Sequence, residues 1–385
     1  MIVWYISGHG FGHAARDIEV LNRLGAEHRE IPIAVRTSAP RWIFDLTLTR
    51  PIDWQPLDAD TGVIQIDSLR VDEAETIRRA SAFYDGFESL AAREADWLRS
   101  RHASLVVGDI PPLAFAAARI ADVPAIALGN FTWDWIYDGY RDWMSGGGRF
   151  IEQIRAAYSA ADLALRLPMH GGFEMFRNVF DLPFIARRTA RDPQDVRRSL
   201  ELPSDVPLVL LSFGGYGLAS IDLDRIASMR DYVVVTTADV GANRRADEPR
   251  PPELARGPDD AVAQRKLPAN VRMVDEKRLY ADGMRYEDVV AAVDIVITKP
   301  GYGIISECIA NDTALLYTSR GHFVEYDVLV REMPRWLRCG FISNEDLLGG
   351  RWQASLDRLL AQPHAPEKAD VVGAARAASI IADHM

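Results

Sequence analysis

Ile2-Val3-Trp4-Tyr5-Ile6-Ser7-Gly8-His9-Gly10-Phe11-Gly12-His13-Ala14-Ala15-Arg16-Asp17 reads as a strand, a glycine loop and a helix start. The apolar run suits a strand buried on both faces, and the alternating glycines let the chain turn sharply while baring backbone amides. Ligands of open α/β sheets collect beyond the carboxyl ends of such strands, where a helix N-terminus favours anions. A dinucleotide fingerprint is only partly matched. Gly8 and Gly10 fit G-x-G-x-x-G, but His13 stands at its last glycine, and the next apolar strand ends in Arg36-Thr37 rather than an acidic ribose ligand. His13 lies just inside the helix, where the dipole disfavours an added positive charge, so it is expected to accept a proton. A capping or packing role is the alternative. His9 is expected either to shape the loop or to contact substrate.

Outward from this stretch, short aliphatic runs alternate with amphipathic helical stretches, the pattern of parallel βαβ units. Strands are expected at 31–37, 105–109 and 125–128, with helices over 14–27, most of 71–100, and 112–121. A charged, proline-containing stretch from Leu167 to Pro207 interrupts the alternation, and Arg187-Arg188-Thr189-Ala190-Arg191 within it reads as a solvated surface. The pattern restarts at Pro207-Leu208-Val209-Leu210-Leu211-Ser212 and continues with strands at 232–237, 271–274, 295–298 and 314–317, while 242–264 reads as an exposed loop. The expected organisation is two doubly wound, Rossmann-like α/β domains. The first spans 1–190 and the second 191–365, with a last helix over 366–385 packing back on the first.

Two further glycine loops follow strands of the second half. Ser212-Phe213-Gly214-Gly215 opens it, and Thr298-Lys299-Pro300-Gly301-Tyr302-Gly303-Ile304-Ile305-Ser306-Glu307 repeats the strand, turn and helix order. Helix amides near Gly303 can hold a diphosphate, and Glu307, one turn deeper on the same face, can accept ribose hydroxyls. No Walker, His-Glu-x-x-His or Cys-x-x-Cys pattern occurs, and Asp58-Ala59-Asp60, in a polar turn, is the one tempting D-x-D sequence. Neither a metal nor a cofactor is expected. Lys299 and the helix dipole would stand in for a metal on a leaving phosphate.

With 385 residues, 48% of them hydrophobic, the chain is long enough for two cores. A formal charge of −11 argues against nucleic acid or an anionic membrane as the main partner, and Cys308 and Cys339 alone make no disulfide framework. No apolar run approaches the roughly 18 residues of a membrane span. A cytoplasmic setting is expected, with peripheral contact to a lipid-linked acceptor left open.

Gly10-Phe11-Gly12-His13-Ala14-Ala15-Arg16, Gly108-Asp109-Ile110-Pro111-Pro112, Asn130-Phe131-Thr132-Trp133-Asp134-Trp135-Ile136-Tyr137 and Lys299-Pro300-Gly301-Tyr302-Gly303 together resemble the glycosyltransferase-like N-terminal region of plant L-arabinokinases. The resemblance runs from residue 1 to about 360, and no sugar-kinase domain follows within this sequence. It implies a GT-B glycosyltransferase, its two domains facing across a cleft. Lipid-intermediate N-acetylglucosamine transferase and the UDP-glucuronosyltransferases share that broader fold. By resemblance, His13 is the base, Gly214 and Gly215 lie beside the diphosphate, Gly301 and Gly303 meet the phosphates, Glu307 meets ribose, and Glu325 meets the donor sugar. Lys299 and Ser306 fall on the same donor side.

As acceptor-binding or phosphate-loop residues the expectation groups Gly8, His9, Gly10, Gly12, Arg16, Asn130, Trp133 and Asp134, with Asp109 either orienting His13 or binding acceptor. The aromatic segment 131–140 and the helical insert 71–100 are expected to line an acceptor pocket. The reaction implied is inverting, metal-independent transfer from a nucleotide-diphosphate sugar, by default a UDP-sugar, to an acceptor hydroxyl. A similar Gly-Phe-Gly-His loop in the nucleotide-sugar hydrolase of pseudaminic acid synthesis keeps hydrolysis open. An epimerase or a non-catalytic sugar-nucleotide-binding module are the other readings.

Overall fold

The computed structural model describes residues 1–144, 148–213, 221–237 and 267–385. Gly214, Gly215 and the loop expected over 242–264 lie outside these residues. Strand β1 (Ile2–Ile6) is buried throughout and pairs in parallel with β2 (Ile33–Thr37) and β4 (Leu105–Asp109). With β3 (Asp53–Pro56), β5 (Ala125–Phe131), β6 (Leu163–Gly171) and β7 (Val179–Asp181) they form a parallel sheet ordered β3-β2-β1-β4-β5-β6-β7. Both faces are covered, as the unbroken apolar run requires. Val3 and Tyr5 pack into one core, Ile2, Trp4 and Ile6 into the other.

The second sheet repeats the plan. Strands β8 (Leu208–Ser212), β9 (Val233–Thr236), β10 (Val271–Met273), β11 (Ile295–Thr298), β12 (Ala314–Tyr317) and β13 (Cys339–Phe341) run parallel in the order β10-β9-β8-β11-β12-β13. Leu208 and Leu210 face one core, Val209 and Leu211 the other. Each sheet therefore reverses its winding beside its first strand, at β1/β4 and at β8/β11. Such switch points leave a crevice at the carboxyl ends of the strands.

The expected passage 167–207 is more ordered than its composition suggests. It holds the end of β6, the edge strand β7 and a helix, Pro193–Ser199, whose N-terminal amides bond the Asp192 carboxylate. Its arginine run is solvated at Arg188, Ala190 and Arg191 but turns inward at two positions. Arg187 ion-pairs with Glu307, and Thr189 Oγ1 bonds Asp288.

Helix Gly373–Asp383 returns to the first domain, its Ala374, Ala377, Ala378 and Ile381 sharing a core with Ile18 and Leu21 of helix Gly12–Glu27. The stretch 71–100 is two helices, Glu73–Asp85 and Phe87–Ser100, separated at Gly86. Among the described residues no helix is long and apolar enough to cross a membrane.

Candidate functional site

The loop after β1 needs its glycines for two different reasons. Gly10 has φ +73°, a left-handed conformation, whereas a Cβ on Gly8 would fall 2.1 Å from Ser38 Oγ. This tight turn delivers His13 as the second residue of helix Gly12–Glu27, 6% exposed, opposite the end of β4. His13 Nδ1 lies 2.9 Å from Asp109 Oδ1. Arg16 Nη2 is 3.0 Å from the same Nδ1 but donates over a shorter distance to Asp109 Oδ1; an ionised carboxylate only accepts, so the Asp109 bond puts the proton on Nδ1 and leaves the Nε2 lone pair free. Among the described residues Nε2 makes no hydrogen bond.

Asp109 has no exposure, and Arg16, one turn along the helix, holds it through Nε to Oδ2 at 2.5 Å and through a second bond to Oδ1. Burial would push this carboxyl up, but the Arg16 guanidinium and then His13 outweigh it and hold the group well below the usual carboxylate range. Arg16 is itself positioned by Asn130 Oδ1, and Asn130 Nδ2 donates to the Pro168 carbonyl at 2.7 Å. Asn130 and Arg16 thus hold the His13–Asp109 pair from behind, with these polar groups engaged inside the protein.

His9 takes the loop-shaping role. Its Nδ1 accepts from the Val63 amide at 3.2 Å and its ring meets Trp133 edge-on at 5.6 Å. Burial, followed by the positive fields of His13, Arg320 and Lys299, pulls its pKa down to about 3. Trp133 has no exposure and stacks on Tyr137, while Asp134 is 5% exposed and bonds Arg155 Nε at 3.2 Å. Both belong to the core, and the expectation that they meet acceptor is corrected. Phe131, Tyr137 and Tyr140 are buried beside them, so the aromatic segment is packing too. The helical insert does line a pocket of about 310 Å3, between Ile77 and Arg78 on one side and Trp143, Met144 and Phe150 on the other.

On the opposite domain, Lys299 stands half-buried at the end of β11, its ammonium without a hydrogen bond or ion pair among the described residues. Burial, then Arg320, lowers its pKa to about 7. Arg320 follows β12 and is 8% exposed, its guanidinium 3.6 Å from the Phe323 ring centre and 3.2 Å from Glu325 Oε1. The sequence reading missed Arg320. Its signal was a cation beside Gly321 in the loop after an apolar strand, the same grammar that singled out Lys299.

Glu307 departs from expectation. It is 4% exposed and its Oε1 accepts from Arg187 Nε at 2.7 Å, with Glu287 3.8 Å from the same guanidinium. Burial raises its pKa and Arg187 opposes the rise. Instead of standing free for ribose, its carboxylate is engaged by an ion pair inside the protein in this arrangement of the domains. Ser306 Oγ bonds back to the Gly303 carbonyl at 2.9 Å, and Glu325 pairs with Arg320. Gly301 caps helix Tyr302–Asn311 in extended conformation. That helix and Gly12–Glu27 meet N-terminus to N-terminus, a Cβ on Gly303 lying 3.9 Å from Gly12 Cα. Among the described residues no group of three or more His, Cys, Asp or Glu is placed to hold a metal.

Two parallel sheets of this order, each with a switch point beside its first strand, make the GT-B fold of solved glycosyltransferases. The chain is covered completely by the glycosyltransferase of kitacinnamycin (TM-score 0.63, 14% identity, 98% of that chain) and by CalG4, the calicheamicin glycosyltransferase (0.60, 15%, 98%). Glycosyltransferase VinC in complex with DTDP matches at TM-score 0.55 and 16% identity over 94% of that chain. In sequence, 94% of the chain is 28% identical to L-arabinokinase of Arabidopsis thaliana, of which it spans 32%, about a third of that protein's length. No family model matches.

Proposed function

We propose that the protein transfers a sugar, with inversion, from a nucleotide-diphosphate sugar to an acceptor hydroxyl without a metal ion. The observation that carries this reading is the Nε2 lone pair of His13, set by Asp109 at one switch point and opposite the cations of the other. Nε2 takes the acceptor proton as that oxygen attacks the anomeric carbon. The bond from this carbon to the phosphate oxygen breaks, and the leaving diphosphate carries the charge that Lys299 and Arg320 offset. The base is a pyrimidine, uridine by default, with thymidine supported by the DTDP held in VinC. Replacing the acceptor by water gives hydrolysis, which the same His13 geometry supports.

A panel of UDP-, dTDP- and GDP-sugars, assayed for released nucleotide with and without acceptors in the presence of EDTA, tests the reading. Turnover is expected with a pyrimidine donor and is expected to survive chelation. His13→Ala should lower kcat by roughly 10²–10⁴-fold with little change in donor affinity. Near-normal turnover in that variant removes His13 as the base. Nucleotide release that no acceptor stimulates favours the hydrolase.

A further inference from the structure

We propose that the first domain carries an acceptor subsite for a pyranose ring, in which Asp60 accepts hydroxyl bonds and the exposed Phe11–Trp42 pair receives the ring's C–H face. This rests on the transferase reading above. The loop after β3 crosses the carboxyl edge of the sheet and brings Asp60 to the end of β1, where Ser7 Oγ donates to Oδ1 at 3.1 Å. Trp133 Nε1 donates to Oδ2 at 3.0 Å. Each oxygen therefore keeps a lone pair for a further donor.

Among the described residues Asp60 has no cation beside it within ion-pair distance. Burial raises its pKa to about 6, and His13 and Asp109 lie close enough to act on it electrostatically. A half-buried carboxylate without a counter-ion carries a desolvation cost that two neutral donors offset only in part. As an acceptor of substrate hydroxyls, beside the base that takes one of their protons, it has a use.

The aromatic pair is a separate observation. Phe11, two residues before His13, is 43% exposed and Trp42 is 47% exposed, although both are large and apolar. Their rings meet edge to face at 5.5 Å. They sit in the segments that follow β1 and β2, on the carboxyl edge that also bears Asp60. Scattered exposed aromatics need no explanation, but a paired set beside a candidate site marks a contact surface. An anionic hydroxyl acceptor next to exposed aromatic faces matches a pyranose, which has hydroxyls at its rim and C–H bonds on its face. A flat aromatic aglycone would call for an enclosed apolar slot instead.

The test is saturation-transfer NMR on the full chain with UDP present, using methyl gluco-, galacto-, manno- and xylopyranosides and, for contrast, 4-methylumbelliferone. At least one pyranoside should bind and show transfer to its ring C–H protons. Trp42→Ala, at an exposed position, should abolish that transfer, and Asp60→Asn should raise the pyranoside Kd about tenfold or more. Melting curves and UDP affinity should match the parent. Absence of pyranoside binding, or binding that both variants leave intact, overturns the proposal. Variant-sensitive binding of the umbelliferone alone replaces the sugar by a planar aglycone. Because this readout needs no turnover, its failure is distinct from failure of the transferase reading, which the nucleotide-release panel decides.

Discussion

At the scale of single residues, the site works by giving each ion a fixed task. Arg16 and Asp109 neutralise one another, so His13 is oriented by a carboxylate without facing its full charge. Lys299 is the contrasting case, a cation left without a partner. Its ordinary pKa is 10.5 and the fold lowers it to about 7, so protonation is disfavoured in the folded chain. As pH falls from 10.5 towards 7, Lys299 therefore lowers stability, and below 7 this loss is complete and constant. A diphosphate favours the protonated form, so UDP-glucose should bind tightest below about pH 7 and progressively less tightly above it. Calorimetry in buffers of different ionisation enthalpy should show proton uptake on binding near pH 8. Lys299→Met should abolish both the uptake and the pH slope, and a slope that persists in the variant would exclude Lys299. Glu307 gives a different prediction, because its loss leaves Arg187 buried beside Glu287 alone. Glu307→Ala should cost about 3–5 kcal/mol by urea unfolding, and a weakened nucleotide affinity in that variant says nothing about ribose unless its stability is unchanged.

At the scale of elements, the docking of the last helix against the backbone at Pro183 and Phe184 depends on one glycine. A Cβ on Gly373 would lie 2.3 Å from the Pro183 carbonyl oxygen and 2.7 Å from that of Phe184. Both atoms are backbone and cannot swing aside. Gly373→Ala should therefore destabilise the protein by about 1–3 kcal/mol, and an unchanged melting temperature would show that the last helix shifts freely. Burial on both faces also governs how legible the elements are in sequence. β1, β8 and β11 read as unbroken apolar runs and were found at once. By contrast, β3 is Asp-Trp-Gln-Pro, and Val179 and Phe180 of the edge strand β7 are 38% exposed each, so neither carries an interior strand's signature. Strand β6 contains Pro168 and was read partly as linker. For the site, the glycine loop and the acidic end of β4 pointed to His13 and Asp109. Trp133, Asp134 and Glu307 misled because polarity or aromaticity near a strand end does not disclose an internal partner. Only the fold could show Asp60 crossing to Ser7 or Arg187 reaching Glu307.

At the scale of the whole molecule, the two domains are in contact where the donor would have to lie. The space between the helix N-termini, bounded by Gly12, Arg16, Arg187, Gly303, Ser306 and Glu307, is about 20 Å3, enough for a water but far below the several hundred Å3 of a ligand pocket. On the proposed transferase reading, a donor diphosphate at these helix N-termini therefore requires them to part. Among the described residues, contacts between the two domains include Ser68 Oγ donating to the Phe213 carbonyl at 2.9 Å and Tyr140 Oη to the His322 carbonyl at 3.0 Å. Phe131 and Tyr302 stack with ring centres 5.9 Å apart. Each hydrogen bond contributes a net 0.5–1.5 kcal/mol or so, so removing both shifts the opening equilibrium by roughly 5- to 150-fold. In Ser68→Ala/Tyr140→Phe, amide hydrogen exchange should quicken over 8–14 and 299–304, which line the contact, and stay unchanged in β1 and β11, which report global unfolding. The donor association rate should rise with it, since the binding-competent state becomes more populated. Exchange equal to that of the parent at 299–304 would mean that these bonds do not hold the closed form, and the stacked Phe131 and Tyr302 rings would be the next contact to remove.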